Sequence, residues 1–448
     1  MLRFLFVLND YLIDPLGIAY LSASLKKAGY ETDIIKTEKE NLWSKIENYS
    51  PDVLAFSTTT GWHKYYIKLA EDIKKKYPSL ITLFGGAHPT FFPEMVEQQG
   101  VDAVCRGEGE RAVVAFANAV SAGYWTDFPI PNIWTKTHRS TSFFPLEPVD
   151  SLPLPDRDLI YKYPENKQNP IKNIMCSRGC RFSCAYCYNN TMRRLYPDWT
   201  VRRRDPHLVV QEAVELKRKY PVELVFFQDD IFVSQLDWLD RFVKLWNAEV
   251  RLPFHAQLRY DITNRETVRL LKQGGCQSVT FAVESANSKL CRQMLHRPSN
   301  PGRLKRVIQW CQDCGIKVRL ECMVGLPTEV IEDSFGTLRL VTECRPDMSW
   351  CSIYQPYPRT ELGDQAIAAG LFDGDVDKFA QDFFSTSLLK RGDKHLFENL
   401  QKFFSFGVDH PRTHSALRTL IQLPPNFLFK KFYSVYKKHK YKKLYSSA

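Results

Sequence analysis

The sequence of 448 residues is long enough for two or three domains, and 44% of the residues are hydrophobic, which excludes a largely disordered chain. Its twelve cysteines are too sparse for a disulfide scaffold and favour a reducing, cytoplasmic location in which some thiols bind metal. Seven of the eleven net positive charges fall on lysines of residues 426–448, so the remaining chain is only mildly basic and nucleic-acid binding is disfavoured. No run of eighteen apolar residues occurs, and no membrane-spanning helix is expected.

The first 125 residues alternate short apolar runs with amphipathic stretches, which predicts a doubly wound parallel sheet. The expected strands are residues 4–8, 32–35, 53–57, 81–84 and 103–106. The expected helices are residues 16–28, 42–49, 65–77 and 93–99. The apolar start of the chain is interpreted as the first buried strand and not as a signal peptide, because no small-residue cleavage site follows it.

Ligands of such sheets bind at the carboxyl ends of the strands. Four strand ends carry candidate binding residues, and three of them contain glycine, which lets the backbone approach a ligand closely. No G-x-G-x-x-G follows the first strand, so a dinucleotide is not favoured. His88 has an alternative role as a hydrogen bonder in a turn, and Glu108 and Glu110 also suit the cap of the next helix. The predicted binding residues are Asn9, Ser57, Thr58, Thr59, Gly85, Gly86, His88, Gly107, Glu108, Gly109 and Glu110.

Residues 126–170 are rich in proline and are expected to form an ordered linker between two domains. A second alternating pattern covers residues 171–365 and predicts a partial (β/α)6 barrel, similar to a TIM barrel, with its active site at the carboxyl ends of the strands. Its expected strands are residues 173–176, 224–227, 254–257, 278–283, 317–323 and 349–354. Its expected helices include residues 208–219, 236–246, 263–273 and 302–314. Residues 366–448 form a helical, aromatic-rich C-terminal region.

Three cysteines follow the first barrel strand with the spacing Cys180-x3-Cys184-x2-Cys187. Three thiolates close in sequence suit three irons of a [4Fe–4S] cubane and leave the fourth iron open. Zinc is the main rival metal, but a structural zinc site needs a fourth nearby ligand. Cys176 is the candidate for that ligand, and it falls on the predicted strand at residues 173–176.

This cysteine motif, with Tyr186 before the third cysteine, resembles the signature of the radical S-adenosylmethionine (SAM) superfamily. Four further segments resemble family motifs in the expected order: residues 228–232, 275–285, 324–329 and 356–362. Three residues, Ala282, Thr328 and Arg359, replace glycines that are usual in the family.

In that family, the open iron of the cluster chelates the amino and carboxylate groups of SAM. An electron from the cluster then cleaves SAM to a 5′-deoxyadenosyl radical. The resemblance implies that Cys180, Cys184 and Cys187 are the catalytic metal ligands and that a reductase such as flavodoxin or ferredoxin is a partner. It further implies that SAM contacts Tyr186, Glu284, Ser285, Gly325 and Pro327.

The N-terminal region resembles the cobalamin-binding domain of one large subgroup of this family, through residues 15–21, 85–90 and 106–110 and through residues 150–155 of the linker. The resemblance implies that cobalamin is a cofactor, although no D-x-H-x-x-G motif is present to supply a lower ligand. A degenerate domain that has lost its cofactor is the alternative. The expected fold class is therefore α/β: a Rossmann-like cobalamin domain (1–125), the linker (126–170), the barrel (171–365) and the helical region (366–448).

The resemblance favours an enzyme that methylates an unactivated centre of a small-molecule or lipid substrate. An oxidative cyclase or another non-methylating radical enzyme is the alternative, and a sensor protein that binds cobalamin and an iron–sulfur cluster is an alternative of another class. An RNA methylthiotransferase is disfavoured, because the N-terminal region has a single cysteine, Cys105.

The C-terminal tail, residues 426–448, mixes aromatic residues with its seven lysines. One interpretation is peripheral contact with an anionic membrane surface. The other is a solvated terminal helix whose aromatic side chains pack on the barrel.

Overall fold

The computed structural model describes residues 1–11, 13–233, 235–382 and 384–445. The chain forms two compact units. The first comprises Met1–Asn169, Met192–Trp199 and Phe379–Gln381, and the second comprises Pro170–Thr191, Thr200–Lys378 and the chain from Asp382 onwards. The last three positions of the expected C-terminal region lie outside the described residues.

The first unit contains a six-stranded sheet in the order β2-β1-β3-β4-β5-β6. Strands β1 to β5 are parallel, and β6 is an antiparallel edge strand. The five strands predicted from the sequence are confirmed to within two residues, whereas β6 was not expected in the proline-rich segment. The strands are β1 (Arg3–Leu8), β2 (Glu31–Lys36), β3 (Val53–Ser57), β4 (Ile81–Gly85), β5 (Ala103–Cys105) and β6 (Ile133–Thr135).

Helices cover both faces of this sheet, which is why β1 is apolar without interruption and not at alternate positions. The side chains of Phe4 and Phe6 join one apolar cluster, and those of Leu5 and Val7 join a second cluster on the opposite face. The helices are α1 (Leu16–Lys27), α2 (Leu42–Tyr49), α3 (His63–Lys76), α4 (Ala87–Phe91), α5 (Glu110–Ser121), α6 (Arg157–Ile160) and α7 (Pro164–Lys167). The expected helix at residues 93–99 is a 3-10 helix, Pro93–Glu97.

The proline-rich segment belongs to the first unit up to Asn169 and packs against the ends of β1 and β2. The hydroxyl of Tyr11 donates to the carbonyl of Ile160 at 2.6 Å, and the backbone N–H of Lys36 donates to the hydroxyl of Tyr163 at 2.8 Å. Lys36 is fully buried, with its ammonium 2.8 Å from the carboxylate of Asp10. This pairing satisfies a charge that would otherwise be costly to bury.

The second unit contains a six-stranded parallel sheet in the order β14-β13-β12-β11-β10-β7. The prediction of six strand–helix units in a partial barrel is confirmed. A short antiparallel ribbon of β8 and β9 was not predicted. The strands are β7 (Ile171–Ile174), β8 (Ser177–Arg178), β9 (Arg202–Arg203), β10 (Leu224–Phe227), β11 (Phe254–Leu258), β12 (Cys276–Glu284), β13 (Lys317–Val324) and β14 (Met348–Ile353).

Side-chain caps fix where several helices of the second unit begin. The side chains of Asp205, Asn264, Asn300 and Thr360 each accept a hydrogen bond from a backbone N–H of the first helical turn. The helices are α8 (Tyr188–Leu195), α9 (Pro206–Lys219), α10 (Leu236–Glu249), α11 (Arg265–Gln273), α12 (Ser288–Gln293), α13 (Pro301–Asp313), α14 (Ile331–Cys344), α15 (Glu361–Ala368), α16 (Lys394–Asp409), α17 (His414–Leu420) and α18 (Phe427–Tyr445).

The C-terminal helices cover the edge strand β14. The side-chain amide of Gln401 on α16 donates to the carbonyl of Cys351 at 3.1 Å, and the hydroxyl of Ser405 donates to the carbonyl of Ser349 at 2.6 Å. These bonds satisfy edge carbonyls that would otherwise be open to pairing with another strand. Across the described residues, the search for a helix long and apolar enough to cross a membrane finds no candidate.

We predict that Phe242→Ala lowers the free energy of unfolding by about 3–5 kcal/mol, because Phe242 on α10 is fully buried against Phe227, Trp246 and Phe254. Urea denaturation followed by circular dichroism measures this. Lys244→Ala, at an exposed position of the same helix, is the control and should cost less than about 0.5 kcal/mol. Equal losses in both variants would contradict the packing argument.

Candidate active site

The three motif cysteines lie on the loop between β8 and α8. The turn is closed by a bond from the N–H of Cys187 to the carbonyl of Cys184 at 3.1 Å. Ala185 fixes the loop on both sides, because its N–H donates to the carbonyl of Leu295 and its carbonyl accepts from the N–H of Leu362. Backbone groups far apart in sequence therefore hold the loop in place.

The three thiols line one cavity of about 140 Å³ at the carboxyl ends of the barrel strands. The predicted SAM residue Tyr186 lines the same cavity. Strands β10 to β13 and the residues just after them place polar groups in this wall: Asp230, Gln257, Arg259, Thr280 and Glu321. Arg297, from the segment between α12 and α13, adds a further polar group.

The three thiols match the ligand set that a [4Fe–4S] cluster with one open iron uses. Among the described residues, no three His, Cys, Asp or Glu side chains converge closely enough to hold one metal ion. A cubane bonds each thiolate to a different iron, so its ligands surround a space and do not converge on a point. Burial raises the pKa of Cys180, and it raises that of Cys187 to about 12, so these thiols would have to release their protons to bind a metal.

The placement of Cys176 on a strand was wrong. Strand β7 ends at Ile174, and Cys176 lies in the short link between β7 and β8. Its side chain is fully buried and is not among the residues that line the cavity, and burial raises its pKa well above the usual range. Its absence from the cavity wall, and not membership of a strand, separates it from the other three thiols.

Asp229 anchors the start of the cysteine loop. This fully buried carboxylate, just after β10, accepts the N–H of Cys176 at 3.1 Å and the hydroxyl of Ser177. Burial raises its pKa to about 6, although these hydrogen bonds and Arg203 oppose that shift. Through Asp229, the motif segment at residues 228–232 therefore supports the cysteine loop.

Tyr186 and Glu284, two of the predicted SAM residues, meet in the structure. The hydroxyl of Tyr186 donates to the carboxylate of Glu284 at 2.6 Å. Glu284 follows an irregularity in β12 and has a φ of 62°, an unusual conformation for a residue other than glycine. Arg297, which the sequence did not indicate, lies 3.9 Å from the same carboxylate and donates to the carbonyl of Ala282. The Nε–H of Arg297 is buried without a hydrogen-bond partner.

Of the predicted SAM residues, only Tyr186 is among the described residues that line the cavity, and Glu284 reaches it through its hydrogen bond to Tyr186. Ser285 is fully buried, and its hydroxyl is 3.5 Å from that of Thr337. Gly325 has a φ of 78°, and Pro327 follows it on the loop after β13. Arg391 holds this loop by donating to the carbonyls of Leu326 and Pro327, among others.

Arg259 is a further residue that the sequence analysis missed. Its guanidinium lies over the ring of Phe182 at 3.6 Å, is paired with Asp261 and points one N–H at the sulfur of Cys184 at 3.7 Å. This contact places a cation beside one of the three motif thiols. Arg259 directly follows β11, so a search for charged residues at the ends of the predicted strands would have identified it.

The predicted cobalamin residues lie at neighbouring strand ends of the first unit. Strands β3, β4 and β5 are adjacent in the sheet, which places Ser57 to Thr59 beside Gly85 and Gly86, with Gly107 next in line. Ser57, Thr59 and Gly86 are exposed, whereas Thr58 is buried and its hydroxyl has no hydrogen-bond partner. An open edge with an unsatisfied hydroxyl fits a large bound cofactor.

Two glycines at this edge are required by geometry. Gly86 has a φ of 101°, and a Cβ there would lie 2.9 Å from the carbonyl oxygen of Thr58. Gly107 has a φ of 71°, and a Cβ there would lie 2.2 Å from the hydroxyl of Tyr196. That hydroxyl accepts the N–H of Glu108 at 3.1 Å and the side-chain amide of Asn132 at 2.8 Å.

The other predicted residues at this edge have structural contacts. His88 lies on α4 and not in a loop, is buried, and stacks on His63 with ring centroids 4.0 Å apart. Asn9 donates to the carboxylate of Glu38 at 2.8 Å. At the end of β5, Gly109 precedes α5, and Glu110 is its first residue.

The comparison with family models matches two parts of the chain. Residues 7–117 match the B12 binding domain, and residues 174–341 match the Radical SAM superfamily. B12 is cobalamin, so the fold and the cysteine site define the class as a radical SAM protein with an N-terminal cobalamin-binding domain. The chain belongs to the family of radical SAM enzymes that contain this domain, and the resemblance found in the sequence is confirmed.

Similar proteins span most of the chain. An uncharacterized methyltransferase of Pyrococcus horikoshii is 26% identical over 80% of this chain and 79% of its own length. The anaerobic magnesium-protoporphyrin IX monomethyl ester cyclase of Rubrivivax gelatinosus is 27% identical over 87% of this chain and 73% of its own length. The fold is shared with the radical SAM methyltransferase TsrM of Kitasatospora setae, solved with cobalamin and a [4Fe-4S] cluster, at a TM-score of 0.67 and 17% identity over 82% of this chain and 79% of that one.

We predict that Asp229→Ala destabilises the protein by about 1–3 kcal/mol, because the buried N–H of Cys176 and the hydroxyl of Ser177 lose their acceptor. Asp229→Asn retains an acceptor and tests the charge. Because the native pKa is raised to about 6, the stability that the protonated carboxyl contributes is present at low pH and is lost as pH rises through 6.

The wild type should therefore lose about 1 kcal/mol more stability than Asp229→Asn between pH 5 and pH 7.5, as measured by urea denaturation. Identical pH profiles of the two proteins would contradict a buried, titrating Asp229.

Proposed function

We propose that the protein is a cobalamin-dependent radical SAM enzyme that methylates an unactivated centre of a small-molecule or lipid substrate. The observation that carries this proposal is the cavity at the barrel's strand ends, where three thiols of the Cys-x3-Cys-x2-Cys loop face a partly buried polar wall. The proteins similar to this chain include named methyltransferases, and the cobalamin-binding match supplies a domain suited to methyl transfer.

We assign the cofactors to residues of this chain as follows. Cys180, Cys184 and Cys187 would hold the [4Fe–4S] cluster, and the Tyr186–Glu284 pair would bind SAM. The strand ends around Gly86 and Gly107 would hold cobalamin. When bound, the cluster supplies one-electron reduction of SAM to methionine and a 5′-deoxyadenosyl radical, and cobalamin supplies a carrier for a methyl group.

The protein's own groups position the reactants and exclude water. Asp229 and the backbone of Ala185 fix the cysteine loop, so the thiols are held before metal binds. The buried guanidinium of Arg297 has an unused N–H beside Glu284, where it can donate to an anionic group of SAM or substrate. Most of the cavity wall is buried or half-buried, which protects a radical from solvent.

A ring-forming oxidation is the second candidate, because a cyclase is among the similar proteins. In either reaction, a 5′-deoxyadenosyl radical would supply the power to remove a hydrogen atom from the substrate, and 5′-deoxyadenosine would be the by-product. The two reactions differ in the product, since methylation adds one methyl group and cyclisation removes hydrogen. We propose a reductase such as flavodoxin or ferredoxin as the electron donor for either reaction.

We predict that the anaerobically reconstituted protein binds about four irons per chain and cleaves SAM to 5′-deoxyadenosine. Replacing Cys180, Cys184 and Cys187 by alanine should abolish both, because no other described thiol lines the cavity. Cys176→Ala is the matched control and should retain the iron. Iron analysis and chromatography of the reaction products provide the readouts. A full cluster in the triple variant, or its loss in Cys176→Ala, would refute the assignment.

We predict that the wild type is purified with a corrinoid after growth with cobalamin, and that Gly86→Ala lowers corrinoid content at least several-fold. The added Cβ would meet the carbonyl of Thr58 at the proposed binding edge. Gly123→Ala is the matched control, because Gly123 also has a positive φ but has open space around it. Visible absorbance of the purified proteins measures the corrinoid. Equal content in both variants would contradict this site, and a colourless wild type would indicate a degenerate domain.

Incubation with SAM labelled in its methyl group and an anaerobic cell extract tests the reaction itself. A new product in which one labelled methyl group has replaced a hydrogen atom, absent with the triple cysteine variant, is expected for methylation. A product that has lost hydrogen and carries no label would favour the cyclase. Binding of both cofactors without cleavage of SAM would favour a sensor.

A further inference from the structure

The C-terminal helix α18 is fixed to the second unit by one face. Phe429 is buried, and its ring lies 4.9 Å from that of Phe403 on α16. Phe432 packs on the same ring at 5.1 Å. Asp409, the last residue of α16, is an ion-pair partner of Lys440 at 2.9 Å. The helix is therefore an integral part of the fold, as the structural interpretation of the tail expects.

The opposite face of α18 is apolar and exposed. Phe427, Leu428 and Val435 expose 70%, 62% and 64% of their surface, and Leu423 just before the helix exposes 49%. Twelve large hydrophobic residues are exposed among the described residues, and four of them lie within these thirteen positions. Residues 427, 431, 435 and 438 follow the helical repeat, so the exposed residues form one continuous stripe.

The same face carries lysines, and no acidic residue lies near them in the sequence. Lys430, Lys431 and Lys438 are exposed, and the sequence contains no Asp or Glu after Asp409. Two other lysines of the helix do not join this face. Lys440 pairs with Asp409, and Lys437 lies over the ring of Trp350 at 4.4 Å.

We infer that one exposed face of α18, the Phe427 face, docks on an anionic lipid membrane. This face is formed by Leu423, Phe427, Leu428, Lys430, Lys431, Val435 and Lys438. An interfacial helix places apolar side chains at the level of the headgroups and its lysines against lipid phosphates. The inference goes beyond methyl transfer and does not depend on it.

The chemistry of the Phe427 face distinguishes a membrane from other partners. A nucleic-acid backbone would use the lysines, but it would leave Phe427, Leu428 and Val435 exposed to water. An apolar protein groove would cover those side chains, but it would gain nothing from the lysines unless it were also acidic. An anionic bilayer surface uses both sets of groups at once.

The test is co-sedimentation of the full chain with vesicles of phosphatidylcholine alone or mixed with phosphatidylglycerol, at low and at high salt. The wild type should bind the mixed vesicles at low salt and release them at high salt. Each lysine near the surface contributes about fivefold in affinity, so replacing Lys430, Lys431 and Lys438 by glutamate should weaken binding at least a hundredfold.

Two further variants make the test specific. Phe427→Ser combined with Val435→Ser keeps the charge and should weaken binding to the mixed vesicles at least tenfold. Replacing Lys68, Lys75 and Lys76 on α3 by glutamate makes the same change in net charge at another exposed surface and should leave binding unchanged. Circular dichroism and gel filtration confirm that each variant remains folded.

Several outcomes would overturn the inference. Failure of the wild type to bind mixed vesicles at low salt would do so, as would equal binding to phosphatidylcholine alone. Equal losses from the α18 and α3 lysine variants would show non-specific attraction. Retention on RNA that is insensitive to the Phe427 and Val435 changes, without vesicle binding, would instead identify a nucleic-acid surface.

Discussion

All parallel strands of a sheet end at the same edge, and this constraint governs the chemistry of both units. In the second unit, the carboxyl ends of β10, β11 and β12 supply Asp229, Arg259 and Glu284 to the region of the cysteine loop. In the first unit, the ends of β3, β4 and β5 bring exposed threonine and glycine backbone together. Residues scattered over more than a hundred positions meet because the hydrogen bonds between strands fix where each loop begins.

Burial of charge determines how the cysteine loop is held. Asp229, Glu284, Arg259 and Arg297 have less than a tenth of their surface exposed, and each has an ionic or hydrogen-bonding partner in the fold. An unpaired charge there would be costly, so removal of one group disturbs its partner as well. The same low exposure strengthens each electrostatic contact around the thiols and makes the geometry of the loop less adjustable.

A partial barrel has an open edge, and the C-terminal region closes it. Helix α16 bonds to two carbonyls of β14, and α18 packs on α16 through its aromatic face. The aromatic residues of the tail thus have two different environments. Phe429 and Phe432 pack on α16 and stabilise the C-terminal helices, whereas Phe427 is exposed. The C-terminal region, which the family resemblance describes least well, completes the fold and also carries four of the twelve exposed large hydrophobic residues among the described residues.

The sequence by itself determined the order of strands and helices, the parallel sheets and the cysteine motif. These depend on local periodicity and spacing, and a strand such as β3 or a helix such as α2 is visible in the residues that form it. Only the tertiary structure decided which side chains meet. It placed Cys176 in a buried link, brought Arg259 to a thiol 75 positions away, and set Arg391 on the loop after β13. It also placed the ammonium groups of Lys437 and Lys440 against Trp350 and Asp409 of the same unit. Such contacts depend on strand register and on the packing of distant segments, and no local pattern in the sequence specifies them.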